Sequence, residues 1–433
     1  MRRQDSGKSR CRPNLRLPIL LAFVLIVLPF PDPAIGLPGD LSFVNCYSSA
    51  ARLPQCDQPP TDTIGSDYGL TVSPDGRSVY STAPKALNTF VRTQSGGLQF
   101  TNCVANSWPG CSRLARPSIS FPTDLVVSPD GQDVYVTGSN STITTFGRGA
   151  DGQLNQQGCI SNKGRYGCRK PRHNSLGLAE ELDISHDGRF VYVTSANSLT
   201  AFRRMPDGRL RFADCIAADG LNGCKNLPGP NNPSLCDAVG LAVSPNGRSI
   251  YVSAACTDVL SVFDSHNGRL RWRGCIGGRP GCKRIRSNSL DDPGHVEISP
   301  DGRSVYVVAE VSNALTIFRR ARSGALRYQD CIANRRSGGC RVLPHFALGS
   351  PSFVAASPDG ASVYLARGGS ILQLDRHRNG NLSFGRCYSA KASPVCSQAS
   401  SLGLNIWLAL SPDGGSLYVS GEDAISGFSR EGQ

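Results

Sequence analysis

One eight-residue phrase recurs seven times and dictates what this chain can become. Ser73-Pro74-Asp75-Gly76 runs into Arg77-Ser78-Val79-Tyr80, and equivalent serines stand at Ser128, Ser185, Ser244, Ser299, Ser357 and Ser411, 54 to 59 residues apart. Two copies vary: His186 replaces the proline and Asn246 the aspartate. Self-similarity at such a period marks a repeat architecture, in which each unit buries a face against its neighbours. The 433 residues, which would otherwise suggest two or three domains, are then accounted for by one closed repeat body.

The fifth unit, residues 289–331, shows how a repeat is built. His295-Val296-Glu297-Ile298 alternates up to Ser299 and reads as a strand. Pro300-Asp301-Gly302-Arg303 is a turn, because proline presets φ and glycine accepts positive φ. Ser304–Val308, Ala314–Phe318 and, after Ser323-Gly324, Ala325–Cys331 are three further strands rich in β-forming side chains. Four consecutive antiparallel strands per repeat of this length make one propeller blade. Blades are expected at about 63–103, 118–159, 175–215, 234–275, 289–331, 350–387 and 404–433. Tyrosine recurs in every second strand, at Tyr80, Tyr135, Tyr192, Tyr251, Tyr306, Tyr364 and Tyr418. Packing between neighbouring blades explains that row better than a functional aromatic ladder. The same holds for the aromatic and arginine that end third strands, as in Phe90/Arg92, Phe146/Arg148, Phe202/Arg204 and Phe318/Arg320.

The chain ends predict how the ring closes. Residues 39–46, Gly39-Asp40-Leu41-Ser42-Phe43-Val44-Asn45-Cys46, are a fourth-strand phrase with no blade before them. The C-terminus supplies three strands, at 407–411, 416–420 and 424–428, and no fourth. The N-terminal strand therefore completes the last blade and removes an open sheet edge. The fold expected is an all-β, seven-bladed propeller of four antiparallel strands per blade.

Residues 1–36 read as an address. Arg2, Arg3, Lys8, Arg10, Arg12 and Arg16 precede an apolar run from Leu17 to Phe30, and Ala34-Ile35-Gly36 offers small residues for cleavage. That order is the pattern of a secretory signal peptide; the competing reading is a retained anchor. Fourteen apolar residues fall short of the roughly 20 a membrane span needs. Without the leader, 40 basic and 31 acidic side chains leave a net charge of +9, scattered over all repeats. A scattered excess favours solubility rather than specific nucleic-acid binding.

Cysteine usage points to the same compartment. Fourteen of the 17 cysteines form one short pair per repeat: Cys46/Cys56, Cys103/Cys111, Cys159/Cys168, Cys215/Cys224, Cys275/Cys282, Cys331/Cys340 and Cys387/Cys396. Zinc competes as a reading, but no histidine accompanies each pair and the spacings are not C-x2-C, so disulfides are expected. Cys236 and Cys256 flank one copy of the phrase and are placed to bridge the open ends of a hairpin.

Sequence signatures of a serine-hydrolase elbow, a zinc protease, a phosphate loop or a dinucleotide fold are absent. The first strand of a blade lines the channel, and four positions before each serine lie Gly69, Asp124, Glu181, Gly240, His295, Phe353 and Trp407. This row varies from blade to blade while the turns and tyrosines do not, which is where a grafted site would show. Asp124, Glu181 and His295, with Glu180 and Asp237 nearby, make an acidic mouth suited to a cation or a polar ligand. The competing reading is solvated side chains in a wet channel, with no cofactor.

The S-P-D-G-R-x-V-Y-V phrase, with Tyr135-Val136-Thr137-Gly138 and Tyr192-Val193-Thr194-Ser195, resembles the YVTN-type repeats of the seven-bladed superfamily that includes 6-phosphogluconolactonase-like and carboxymuconate-cyclising enzymes. The stretch Pro293-Gly294-His295 to Asp301-Gly302, continued by Val308-Ala309-Glu310-Val311-Ser312-Asn313, is similar to the lactonase pattern P-R-H-x-x-F-x-P-D-G … V-N-E-L-S-N-T. The resemblance implies catalytic roles for His295, orienting or protonating the lactone oxygens, and Glu310, polarising a water or moving a proton. Three departures stand against it. The family's arginine before the histidine is Gly294, its asparagine before the glutamate is Ala309, and Val239-Gly240 stands where these enzymes often place a further histidine. The expected function is a secreted, monomeric binding or scaffold propeller for a small molecule, glycan or protein, free of the membrane once its leader is cleaved. The alternative is a lactonase-like hydrolase or isomerase acting on a sugar or muconate lactone.

Overall fold

The computed structural model describes residues 39–431 apart from 50–52, 66–67, 219, 221–222, 230–231, 335–337, 344–348, 392, 404 and 423. The leader at residues 1–36 lies outside the described residues. Seven sheets form, each with its four long strands laid side by side in an antiparallel ladder. Blade 1 consists of Leu70–Val72, Ser78–Ala83, Ala86–Arg92 and Leu98–Ala105; blade 5 consists of Pro293–Ile298, Ser304–Ala309, Ala314–Arg320 and Leu326–Ala333. The first strands of successive blades touch all the way round, blade 7 meeting blade 1. The expected seven-bladed propeller is the observed fold.

Burial grades outward and explains the sequence of each strand. Second strands are sandwiched by neighbouring blades on both faces, so Ser304–Ala309 and Asp133–Gly138 are buried along their whole length. Such strands carry an unbroken run of β formers rather than alternation. Fourth strands lie outermost and open to solvent along their middle, and Leu326–Ala333 is buried only in its first residue and last three.

The repeated phrase is a self-contained turn. In blade 2 the Ser128 hydroxyl donates to Asp130 Oδ1 (2.6 Å) and accepts the Asp133 N–H (2.9 Å). Gly131 N–H closes on the Ser128 carbonyl (2.8 Å) with φ +71°, a conformation costly for any residue with a Cβ. The phrase also reaches the next blade. Arg148, at the end of the third strand of blade 2, donates to the Tyr80 hydroxyl (2.8 Å) and to Asp75 Oδ2 (2.9 Å) of blade 1. The Tyr80 hydroxyl donates in turn to the Gly152 carbonyl (2.7 Å). Arg92, Arg204, Arg320, Arg376 and Arg430 make corresponding clamps on the turns of the blades before them. The tyrosine and arginine rows are thus inter-blade fasteners.

Ring closure takes place as expected. Leu41–Ser48 pairs antiparallel with Ala424–Arg430, Leu41 opposite Arg430 and Ser48 opposite Ala424. Its Asn45 side chain also bonds the main chain of Leu98 in blade 1, through Nδ2 to the carbonyl (2.7 Å) and Oδ1 from the N–H (2.8 Å).

All eight expected disulfides are present: Cys46–Cys56, Cys103–Cys111, Cys159–Cys168, Cys215–Cys224, Cys236–Cys256, Cys275–Cys282, Cys331–Cys340 and Cys387–Cys396. The structure adds a feature the four-strand reading lacks. After each outer strand the chain doubles back and pairs parallel with it over one or two residues, as Ser112–Arg113 does with Val104 and Ala105, or Arg341–Val342 with Ile332 and Ala333. The disulfide fastens this strap, covering part of an outer edge that would otherwise offer free N–H and C=O groups to another chain. Each short loop closed this way is worth about 2–3 kcal/mol in the chain-entropy account. Among the described residues no helix is long and apolar enough to cross a membrane.

Candidate functional site at the channel

The side chains expected to line the channel divide into two groups. On blades 5, 6 and 7, His295 stacks on Phe353 with ring centroids 3.6 Å apart, and Phe353 leans on Trp407 at 4.6 Å. On blades 2 and 3 stand the carboxylates Asp124 and Glu181. They are joined by Asp183 and Glu297, two positions before their serines, which the reading of the sequence passed over. A signal was present. The other five residues of that row are Thr71, Val126, Ala242, Ala355 and Ala409, so two acids stood out.

Each carboxylate braces the inner strand of the next blade. Asp124 Oδ2 accepts the Leu182 N–H at 3.0 Å, Glu181 Oε2 the Leu241 N–H at 2.7 Å, and Asp183 Oδ2 the Val243 N–H at 2.7 Å. Glu297 Oε1 takes the Ala356 N–H at 3.3 Å. Inner strands of different blades share no ladder of their own, so these N–H groups would otherwise lack a protein partner facing the channel. The acidic residues of the channel are therefore brackets between blades.

Burial acts on all of them in one direction. Desolvation raises Asp124 and Glu181 well above the usual carboxylate range, each opposed by its backbone hydrogen bonds. It pushes Asp183 up to about 6 and Glu297 up to about 8. Desolvation drives His295 the other way, down to about 3, and a main-chain contact with Val354 offsets only part of this. The imidazole is neutral at physiological pH. Among the described residues, its Nδ1 and the indole Nε1 of Trp407 are buried without a hydrogen-bond partner.

These shifts carry a prediction for stability. A carboxylate with a raised folded pKa binds its proton more tightly folded than unfolded. Its favourable share is complete below about pH 4 and is lost as pH rises through about 6 for Asp183 and about 8 for Glu297. Denaturation midpoints are expected to fall from pH 5 to pH 8, at up to about 1.4 kcal/mol per pH unit for each group. Glu297→Gln, which keeps an acceptor for Ala356, should flatten that fall. A wild-type midpoint that stays level over this range, or a variant with the same slope, would contradict the assignment.

Glu310 sits apart from this set. It follows directly on the second strand of blade 5, is exposed, and donates its own N–H to the Asp292 carbonyl. No hydrogen bond joins it to His295 among the described residues. The surrounding departures now have a geometry. A Cβ at Gly240 would collide with the Gly294 carbonyl oxygen and lie 2.5 Å from Ser253 Oγ, so no histidine fits there without a backbone shift. At Gly294 the nearest atom to a Cβ would be Val308 Cγ2, 3.9 Å away, so the arginine's place is open and empty. Glu180 and Asp237 lie on the face where the inner strands begin, together with Asp258, Asp291 and Asp292. Burial first, and neighbouring acids second, raise Glu180, Asp291 and Asp292. Among the described residues no cluster of three His, Cys, Asp or Glu side chains is placed to hold a metal ion.

Comparison with known proteins places this geometry. Residues 230–342, which contain blade 5 and its neighbour, match the family model of the seven-bladed β-propeller lactonases. The fold is shared with the periplasmic gluconolactonase of Pseudomonas aeruginosa, at 19% identity over 74% of this chain and 84% of that one (TM-score 0.52). It is shared equally with hydrazine synthase of Kuenenia stuttgartiensis, at 18% identity over 83% and 93% (TM-score 0.52). A functionally unknown protein from Desulfotomaculum acetoxidans aligns at 16% identity over 78% and 86% (TM-score 0.53). No curated protein matches in sequence. The resemblance to the lactonase-like seven-bladed propeller superfamily holds, and the range of neighbours shows how little that fold fixes about chemistry.

Proposed function

We propose that this chain is an exported binding propeller, not a lactone hydrolase. The observation that carries this reading is the use made of the channel's ionisable groups. Asp124, Glu181, Asp183 and Glu297 are occupied as brackets between blades, and His295 is a neutral ring stacked on Phe353. A lactonase site on this frame would need a cation for an anionic substrate and a base in reach of the lactone carbonyl. Gly294 supplies no cation, Gly240 has no room for a side chain, and Glu310 stands in solvent away from the stacked ring. Eight disulfides fit an oxidising compartment and support export through the leader at residues 1–36.

A panel of sugar lactones and muconolactones, assayed with wild type and Glu310→Gln, tests this. Hydrolysis or isomerisation indistinguishable between the two proteins, and no faster than background, is expected. Turnover by wild type that Glu310→Gln abolishes would overturn the binding reading in favour of a lactonase-like enzyme.

A further inference from the structure

The residue before the first cysteine of each short pair governs how the strap is held. In blades 3 and 5 it is an aspartate. Asp330 pairs with Arg341 of the strap (3.1 Å), and that arginine also donates to the Leu382 carbonyl of the next blade (2.7 Å). Asp214 pairs likewise with Lys225, which donates to the Leu270 carbonyl (2.7 Å). Blade 1 has a neutral version, in which Asn102 donates to Ser112 Oγ (3.3 Å). Blade 2 keeps the cation and lacks the acid. Arg169 donates to the Leu210 carbonyl of blade 3, but Gly158 stands where the aspartate would be. A Cβ at Gly158 would meet no atom within 4 Å, so the place of the carboxylate is open space.

That space belongs to a cavity of about 210 Å³ between the outer strands of blades 2 and 3, whose lining includes Gly158, Gly167 and the arginines Arg116, Arg169 and Arg209. No acidic residue lines it among the described residues. The chain's own groups leave these guanidiniums short of a counterion. Arg116 donates through Nε to the Gly167 carbonyl (3.1 Å) and Arg169 to that of Leu210, both neutral acceptors. Arg209 comes no nearer than 3.9 Å to Asp207, with both side chains in solvent, where an ion pair counts for little. The groove between blades 4 and 5 shows the contrast. Gly274 likewise replaces the acid beside Lys283, but that lining contains Asp264, paired with Arg273 at 3.4 Å. Blade 2 has Gly147 and Gln157 at those two positions, so no internal carboxylate makes up the charge.

The positive field extends along the straps on either side. Residues 107–123 and 152–178 hold seven arginine and lysine side chains, all exposed, and no aspartate or glutamate. A row of cations without acids attracts a polymer that carries an anion on each unit. Tyr166, 39% exposed, stands between Arg165 and the cavity's Gly167, and its ring offers a flat apolar surface to the C–H face of a sugar.

We infer that this cavity takes the carboxylate of a uronic acid unit in an acidic polysaccharide, which supplies the bridge that Asp214 and Asp330 make internally in blades 3 and 5. The carboxylate accepts from Arg169 and from Arg116 or Arg209 in the forked geometry that guanidinium groups offer it. Neighbouring units lie along the straps of blades 1 and 2. The site is apart from the channel and stands whether or not the channel has a ligand of its own.

Titration calorimetry on the full propeller at about 0.15 M salt tests this with trigalacturonate, its methyl ester, galacturonate and triglutamate. Saturable binding of trigalacturonate is expected, at least tenfold tighter than each of the other three. Gly158→Asp places a carboxylate where blades 3 and 5 have theirs and should abolish binding with the melting temperature unchanged or raised. Gly158 lies outside the left-handed region and has room for the side chain, so the variant fits the fold. Arg169→Gln should weaken binding at least tenfold, while Arg319→Gln, an exposed position on blade 5, should leave it within twofold. No saturable binding of trigalacturonate, equal affinity for the ester or for triglutamate, or undiminished binding in Gly158→Asp would each overturn the inference. Equal affinity for galacturonate would overturn the polymer as its source. Equal losses in Arg169→Gln and Arg319→Gln would reduce the binding to attraction by net charge and overturn the site.

Discussion

Removing the strand Leu41–Ser48, with Cys56→Ser to avoid a free thiol, is expected to abolish cooperative folding. The strand makes seven paired positions with Ala424–Arg430. Ladder hydrogen bonds contribute about 0.5–1.5 kcal/mol each, so their sum approaches the whole stability of an ordinary domain. Packing is lost as well, because Phe43 stacks edge-on against Phe428 (5.8 Å) and Tyr47 lies against Phe90 of blade 1 (5.5 Å). Blade 6 loses two bonds: the Leu41 N–H donates to the Tyr388 hydroxyl (2.7 Å), and the Tyr364 hydroxyl donates to the Gly39 carbonyl (2.6 Å). The single strand thus ties three blades, and without it Ala424–Arg430 becomes a bare edge open to aggregation. Near-ultraviolet circular dichroism and urea unfolding check this, and a synthetic peptide of residues 39–49 should restore part of the signal in trans. A shortened chain that unfolds within a few tenths molar urea of the intact protein would refute it.

Arg430→Ala should be the most damaging single substitution among the clamps, at about 3 kcal/mol. The Arg430 side chain is 1% exposed and pairs with Asp359 at 2.7 Å. Its Nε donates to the Tyr364 hydroxyl (2.8 Å) and its Nη1 to the Gly414 carbonyl (3.1 Å). Truncating one partner of a buried pair leaves the other charge uncompensated, a cost of about 3–5 kcal/mol. Asp359 retains some solvent, which places the value at the lower end. Arg92→Ala is the control. Its partner Asp413 is 57% exposed, so about 1 kcal/mol is expected. Arg430→Lys should not rescue, because an ammonium cannot serve the carboxylate, the hydroxyl and the carbonyl from one plane. Equal midpoints for the two alanine variants in urea would remove the distinction between buried and exposed clamps.

Legibility in the sequence follows the physics of repetition. The turn at Ser73, the tyrosine of each second strand and the lone strand at 39–46 were readable because each is a local demand met seven times. The seven short cysteine pairs were readable for the same reason, and Cys236 with Cys256 from their places on either side of one hairpin. What each feature touches was not. Asp124 looks like a channel carboxylate until the Leu182 N–H of another blade is seen beside it, and nothing in the spacing of one strand encodes its neighbour's height. The two-residue parallel straps escaped because so short a strand has no periodicity. The candidate pair of His295 and Glu310 was legible as a resemblance. The open space at Gly294 and the crowding at Gly240 belong to backbone geometry and have no sequence signal beyond the glycines themselves.

Ring closure by the N-terminal strand also sets the order of events during synthesis. The segment around Leu41 emerges from the ribosome long before its partner around Ile425 is made. For nearly the whole of translation or translocation this strand must wait unpaired. The entropy of joining ends so far apart grows only slowly with distance, but the search comes at the end and is made once. Six blades can pack as they appear, while the seventh is a joint between the oldest and newest parts of the molecule. A chain that stalls or is cut before residue 424 is therefore left with its first strand unmatched. Only a chain that has reached Arg430 can be sealed.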